Sequence, residues 1–223
     1  MNETPRVPAV PEPTPHADVG APAMPGTAEL TPELRDYPAQ LGIVRQQEYS
    51  RFLPLVKWLL ATPHFFTLTF LGIGAAAVSV IALFAVLITG QYPRGMFDFV
   101  LGVQRWAMRV NGYILLLVDD YPPFTMDDDP AYPVRLSIAY PEEGIDNWRP
   151  LVHWLLIFPY AVVTGALVFA AMFATIGSFF AILLTAQYPP GLFAFTEVAL
   201  RWQLRTNAYA YAMTSRYPPF AWG

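Results

Sequence analysis

The side chains of this 223-residue chain best suited to bind a ligand are an arginine pair that occurs twice. Arg105 and Arg109 are four residues apart, as are Arg201 and Arg205. Residues four apart share one face of a helix. Each pair could therefore clamp a phosphate group of an anionic lipid or substrate. The alternative is that each pair anchors a helix at the water side of a membrane, which requires amphipathicity alone.

Each arginine pair lies within a longer string that also recurs. RWAMRVNGYILLLVDDYPPF spans residues 105–124, and RWQLRTNAYAYAMTSRYPPF spans residues 201–220. Aromatic residues spaced by seven place a second stripe beside the arginines. We predict amphipathic helices that lie flat in the membrane interface, with rings in the acyl boundary and guanidiniums at the headgroups. The candidate headgroup or interface contacts are Arg105, Trp106, Arg109, Asn111, Tyr113, Arg201, Trp202, Arg205, Asn207 and Tyr209.

The chain is a tandem duplication with an offset of 96 residues. Aligning 51–124 with 147–220 gives 28 identities in 74 positions without a gap. One deletion extends the match upstream, so that DYPAQLGIV from residue 36 aligns with AYPVRLSIA from residue 131. The predicted organisation is a disordered Pro/Ala-rich tail (1–35), a first unit (36–124), an acidic linker (125–130) and a second unit (131–223).

Each unit begins with a short alternating stretch, which predicts a β-strand, and the two strands could pair with each other. A short apolar segment follows, PLVKWLL in one unit and PLVHWLL in the other, closed by Pro63 or Pro159. A long uncharged run comes next. Because a bilayer core needs about 20 apolar residues, residues 65–89 and 160–186 are predicted membrane helices, which end near Gln91 and Gln187. The fold class is thus an all-α integral membrane protein with one membrane helix and one interfacial helix per unit.

Composition supports a membrane protein. The chain is 55% hydrophobic and 13% charged, about half the charge usual for soluble domains. The absence of cysteine excludes disulfides, thiol catalysis and Cys-ligated zinc or iron–sulfur clusters. Basic residues are scattered, which argues against a nucleic-acid partner. The three histidines occupy non-equivalent positions without ligand spacing, and Asp127–Asp129 lack the pattern of a calcium loop, so we expect no metal and no cofactor.

Two membrane topologies are open. One crossing per unit would invert the units and place the two interfacial helices on opposite leaflets. A hairpin in each apolar run (53–90 and 149–186) would place both on one side. We favour one crossing per unit with both termini cytoplasmic, because no signal sequence would export the tail. Rows of small residues predict that the two membrane helices pack on each other about a pseudo-two-fold axis. These rows are Ala166, Ala170, Ala174 and Ser178, with Gly74 and Ala82 at equivalent positions, and Ala75/Ser79 with Ala171/Thr175.

A membrane helix followed by TGxYPxGxFxF, RWxxRxNxY and YPPF resembles the bacterial membrane proteins of the domain of unknown function 4389 family. The resemblance covers both units and leaves out only the tail. The approach to YPPF is LLLVDD at residues 115–120 but AMTSR at residues 212–216, so the second unit departs from the family pattern. The resemblance implies a bacterial inner-membrane protein and implies no catalytic residue.

Three functions are compatible with these features. The first is a non-enzymatic accessory or scaffold subunit that associates with other membrane proteins or with itself. The second is an anionic-lipid-binding or transport-related protein that uses the paired arginines. The third, an enzyme acting on lipid, lacks a nucleophile–base pair in the sequence. The first is the expected function.

Overall fold

A computed structural model of the protein describes residues 30–222, apart from the side chain of Trp154. Its elements in chain order are α1 (Pro32–Arg35), β1 (Ala39–Ile43), α2 (Leu53–Leu60), α3 (Thr62–Thr89), α4 (Arg94–Ile114), β2 (Val134–Ile138), α5 (Arg149–Thr185) and α6 (Pro190–Ala210). The helical fold class, the duplication and the pairing of the two short strands predicted from the sequence are confirmed.

The longest helices end as the sequence predicts. The helix α3 stops at Gly90 and α5 stops at Ala186, both in the left-handed conformation with φ of 71° and 57°. Glycine adopts this conformation without strain, whereas alanine does so at some cost. In each unit the polar Gln-Tyr-Pro segment follows and turns the chain back.

The long helices lie antiparallel. The backbone N–H of Ile145, which precedes α5, donates to Gly90 O at the end of α3 (2.7 Å). At the other end, the N–H of Tyr49, which precedes α2, donates to Ala186 O after α5 (2.9 Å). These two bonds join equivalent positions of the two units, as a pseudo-two-fold axis requires. We name the two ends by these bonds: the Tyr49 end and the Ile145 end.

Helices α4 and α6 run back along the long helices. Along α4, Tyr113 lies beside Lys57, Trp106 beside His64 and Phe99 beside Gly74. Along α6 in the second unit, Tyr209 lies beside His153, Trp202 beside Tyr160 and Leu192 beside Gly177. Each unit is therefore an antiparallel helical hairpin, and α4 and α6 do not lie across the ends of the long helices. From about residue 100 to 113, α4 is buried on nearly every side.

The strands form the third layer and are exchanged between the units. β1 and β2 pair antiparallel, with Leu41 opposite Leu136 at the centre. The strand of the second unit packs on α4 of the first, and the strand of the first unit packs on α6 of the second. The layers are therefore the sheet, then α4 with α6, then α3 with α5.

Several sequence expectations need correction. Residues 30–35 are not a disordered tail, because α1 forms there and Leu34 is buried; residues 1–29 lie outside the described part. The second apolar segment is not closed by Pro159, because α5 runs through this proline without a break. In the first unit only Ala61 separates α2 from α3, and it keeps right-handed helical angles. Neither apolar run contains the hairpin that the alternative topology required.

Gly74, a member of the predicted small-residue rows, faces a returning helix, and so does Gly177. A Cβ on Gly74 would lie 3.6 Å from Phe99 of α4, and one on Gly177 would lie 3.5 Å from Leu192 of α6. The long helices contact each other only sparsely. Gly74 and Gly177 therefore make room for large side chains of α4 and α6. Each long helix packs more closely on its returning helix than on the other long helix.

The outer surfaces of the long helices are apolar along their whole length. Exposed side chains run from Leu55 to Ile88 in one unit and from Leu151 to Leu184 in the other. Within the described residues, two segments are long and apolar enough to cross a membrane, Leu53–Thr89 and Leu155–Thr185, with mean hydropathies of 2.7 and 2.4. Only 22% and 17% of their most apolar windows are buried, unlike the core helix of a soluble protein.

Candidate functional site

The structure buries seven of the ten candidate residues inside the protein and half-buries Arg105, Asn111 and Asn207. Arg109 and Arg205 are each 2% exposed, and the rings of Trp106, Tyr113, Trp202 and Tyr209 are buried. The predicted contact of these side chains with headgroups is therefore corrected: α4 and α6 are central helices, so their polar and aromatic stripes face neighbouring elements of the same chain. The surroundings expected for these side chains were therefore wrong.

The first arginine of each pair holds the strand of the other unit. Arg105 Nε donates to Leu136 O (3.3 Å), and Arg201 Nε donates to Leu41 O (3.2 Å). Leu41 and Leu136 are the central pair of the sheet. Arg201 also pairs with Glu197, at 2.7 Å. Each guanidinium thus satisfies a carbonyl group that the two-stranded ladder leaves without a strand partner.

The second arginine of each pair fastens the segment after YPPF. Arg109 donates to Thr125 O (3.2 Å) and Asp127 O (2.5 Å), and Arg205 donates to Ala221 O (3.5 Å). Thr125 and Ala221 are equivalent positions of the repeat. Burial lowers the pKa of the Arg109 guanidinium, and the Asp129 and Asp128 carboxylates raise it in opposition.

The tryptophan stripe contacts the long helices. Trp106 Nε1 donates to His64 Nδ1 (3.0 Å), and the His64 ring stacks on Phe124 with centroids 3.9 Å apart. In the second unit Tyr160 occupies the position of His64 and stacks on Trp202 at 4.5 Å. Phe220 of the second YPPF also contacts the Tyr160 ring, with centroids 5.1 Å apart. The phenylalanine of YPPF therefore packs on the same position of the long helix in both units.

The asparagines behave differently in the two units. Asn207 Nδ2 donates to Gln104 Oε1 (3.1 Å), which joins α6 directly to α4. Asn111 is half-buried near the end of α4, and its backbone carbonyl accepts the N–H of Leu115. Asn207, predicted as a headgroup or interface contact, thus bonds to a neighbouring helix of the same chain.

A buried ion pair was missed by the sequence reading. Lys57 Nζ lies 2.8 Å from Asp119 Oδ1 and donates to Val118 O (2.6 Å), and its side chain is 1% exposed. The informative signal was that the second unit replaces both members together, with His153 for Lys57 and Ser215 for Asp119.

Several tyrosines before proline lie in the interior and donate to backbone carbonyls across the units. Tyr37 OH donates to Arg216 O (3.2 Å), and the equivalent Tyr132 OH donates to Asp120 O (2.9 Å). Burial raises the pKa of both phenols, so both stay protonated. Burial likewise raises the pKa of Tyr49 to about 12; its hydroxyl donates to Leu117 O (3.1 Å).

These contacts show that the side chains of the repeated string hold the elements of the fold together. Its charged groups bond to carbonyl groups or partners of the same chain, and this fixes the strands, the YPPF segments and the helices relative to one another. Within residues 30–222, no group of three or more His, Asp or Glu side chains is arranged to hold a metal ion.

No curated protein and no solved structure matches the chain. The sequence profile of a family described as domain of unknown function (DUF4389) matches residues 54–126 and 147–221. The two matches cover well over half of the chain. Each extends from the start of an apolar run through the YPPF segment. The chain therefore belongs to the DUF4389 family and carries two tandem copies of its domain.

Proposed function

We propose that the protein is a non-enzymatic accessory or scaffold subunit of the bacterial inner membrane, held in the bilayer by α3 and α5. The observation that carries this proposal is the contrast between its two outer layers. The layer of α3 and α5 exposes apolar side chains over its whole length. The opposite layer is the sheet, where Ser137 is exposed and Arg135 pairs with Asp128 at 3.1 Å.

In this proposal the apolar layer lies parallel to the membrane, within one leaflet, and the sheet faces the cytoplasm together with both termini. The Arg105 and Arg201 side chains bond to the central pair of the sheet, near the pseudo-two-fold axis that relates the two ends of the long helices. If the long helices crossed the bilayer, these charges would lie near its midplane, where they are expensive.

Length supports the same orientation. The exposed apolar surface from Leu55 to Ile88 extends for about 50 Å at 1.5 Å per residue. The hydrocarbon core is about 30 Å thick, and a crossing helix would need a tilt beyond the usual range. A helix of about 10 Å diameter fits within one leaflet. The crossing predicted from the sequence, one per unit, is the competing orientation.

The alternative function, in which paired arginines bind an anionic lipid or transported anion, gains no support from the pairs themselves. Arg109 and Arg205 are buried against their own backbone segments. The scaffold proposal instead assigns partner proteins to the sheet face, which points away from the apolar layer.

A site-specific crosslinking experiment tests the scaffold proposal. A photoreactive residue at Ser137 places the probe on the sheet face, and the matched control at Ile88, 80% exposed, places it on the apolar layer. We expect a stoichiometric adduct with another membrane protein from Ser137 and lipid adducts alone from Ile88. Isolation in mild detergent of a lone homo-oligomer, without a protein adduct from Ser137, would contradict the proposal.

A further inference from the structure

We propose that the second unit holds a binding site for one anionic phospholipid, in a cavity between the start of α5 and the Ser-Arg-Tyr segment before its Pro-Pro-Phe. The cavity has a volume of about 530 Å³. Its lining includes two arginines, three aromatic rings and apolar side chains from the first turns of α5: Arg149, Arg216, Trp148, Tyr209, Tyr217 and Leu156. The arginine pairs of α4 and α6 do not contribute to it.

The guanidiniums have donors to spare for a phosphate. Arg149 uses Nη1 to hold Ser215 O (3.1 Å), and its Nε lies 2.9 Å from the Asp146 carboxylate. Arg216 uses Nη1 to hold Asp36 O (2.6 Å). A guanidinium carries five N–H groups, so each keeps others to donate. The bonds already made fix both arginines at the cavity, which lowers the entropic cost of binding an anion.

Charge in and around the cavity favours an anion. Among the described residues, no carboxylate lines it, and Asp146, which pairs with Arg149, offsets one of the two arginines. The first turn of α5 contains no acidic residue and no side-chain cap, so the positive end of a long helix adds to the potential. A phosphate diester would meet two guanidiniums and the phenol groups of Tyr209 and Tyr217.

The shape of the surroundings indicates a lipid. Val152 and Leu156 line the cavity, and Leu156 is 47% exposed on the apolar layer. Trp148, 63% exposed, stands at the rim, and tryptophan favours the boundary between acyl chains and headgroups. An acyl chain can therefore continue along α5 from a headgroup held by the arginines. The cavity lies at the end of a long helix, so it meets the headgroup layer in either membrane orientation.

The repeat supplies an internal comparison. In the first unit, the positions equivalent to Arg149, Ser215 and Arg216 hold Leu53, Asp119 and Asp120. The aromatic residues are kept, as Phe52, Tyr113 and Tyr121. One unit thus presents two carboxylates where the other presents an arginine and a serine. The shared fold explains the aromatic rings but does not require the arginines, and an anion site accounts for them.

Lipid titration of the full-length protein in detergent, followed by native mass spectrometry, tests the site. The probes are phosphatidylglycerol, phosphatidylcholine and inorganic phosphate. We expect the wild type to bind one phosphatidylglycerol at least about tenfold more tightly than phosphatidylcholine. Both headgroups contain a phosphate, but only that of phosphatidylglycerol has a net negative charge to strengthen the hydrogen bonds from the arginines. The Arg149→Gln/Arg216→Gln variant should lose this preference.

Two further variants make the result decisive. Arg51→Gln/Arg94→Gln removes the same charge from exposed positions outside the cavity and should bind as the wild type does. Ser215→Asp keeps both arginines and introduces the carboxylate of the first unit; it should weaken binding about tenfold without loss of thermal stability. Equal loss in the Arg51/Arg94 control, or unchanged binding in Ser215→Asp, would overturn the site. Saturation by inorganic phosphate alone, with no preference for the lipid, would overturn the lipid assignment in favour of a free phosphate compound.

Discussion

The buried lysine of the first unit and the neutral histidine of the second occupy the same place against a tyrosine. Lys57 Nζ lies 4.7 Å from the centre of the Tyr113 ring, and His153 stacks on Tyr209 at 4.0 Å. Lysine needs a counter-charge when it is buried, and Asp119 supplies it. Burial lowers the pKa of His153 to about 4, so this histidine is uncharged near pH 7 and needs no carboxylate at the position of Ser215.

This pairing predicts an asymmetric effect of substitutions. Asp119→Ser leaves Lys57 buried without its carboxylate and should lower the free energy of unfolding by about 3 kcal/mol. Lys57→His/Asp119→Ser reproduces the second unit and should recover most of that loss. Thermal unfolding in detergent measures both variants. Equal destabilisation of the single and double variants would show that the ion pair is not the cause.

At the residue scale, the sequence predicted that the arginines and aromatic rings share adjoining helical stripes, but not what these side chains contact. The spacing of Arg105, Arg109 and Trp106 places them on adjoining helical stripes in either setting. Amphipathicity alone does not tell a helix at a membrane surface from a central helix between a sheet and an apolar layer. The distinction requires the partner elements, and Leu41 O is 160 residues from Arg201.

At the scale of elements, α4 approaches the strand β2 at a glycine. A Cβ on Gly112 would lie 2.8 Å from Val134 Cγ2. The equivalent pair of the second unit is Ala208 with Ala39, so one unit combines a small and a large residue where the other combines two of intermediate size.

Gly112→Ala should therefore overpack this contact and destabilise the protein by about 1–3 kcal/mol. Adding Val134→Ala reproduces the contact of the second unit and should restore stability to near the wild type. Chemical or thermal unfolding of the three proteins provides the comparison. A double variant less stable than Gly112→Ala would rule out the proposed clash.

The exchange of strands predicts a crossed response to arginine substitution. Arg105→Gln removes the bond to Leu136 O and should increase amide hydrogen exchange in β2, which belongs to the second unit, by about tenfold. Arg201→Gln should do the same in β1 of the first unit. Arg94→Gln, at an exposed position, serves as the control. Faster exchange confined to the unit that carries the substitution would refute the exchanged arrangement.

Element boundaries were predictable where local chemistry decides them. The strands and the ends of α3 and α5 follow from alternation, proline and the repeat. The ends of α4 and α6 did not follow from YPPF, because these helices stop at Ile114 and Ala210, with six residues between each end and YPPF. The fusion of the apolar segment with the predicted membrane helix in α5 did not follow, because proline usually interrupts a helix, as was expected at Pro159. Packing of Tyr160 on Trp202 supplies tertiary contact at that point, which a single-sequence pattern does not contain.

At the scale of the whole molecule, the duplication builds one body from two dependent units. Each unit lends its strand to the other, and both donate tyrosine hydroxyls across the pseudo-two-fold axis. The sequence revealed the repeat but not this exchange, because the strands lie upstream of the gap-free alignment and contact only distant residues. With this exchange, the bonded polar groups lie in the sheet and in the layer of α4 and α6. The exposed apolar side chains lie in the layer of α3 and α5.

The orientation of these layers in the membrane is the central claim, and cysteine labelling measures it directly on this cysteine-free chain. Single cysteines at Glu48 and Glu143, both exposed, mark the Tyr49 end and the Ile145 end of the long helices. With the apolar layer parallel to the membrane, a membrane-impermeant maleimide should label both positions from the cytoplasmic side alone. Labelling of the two positions from opposite sides of the membrane would contradict this account and establish one crossing per unit.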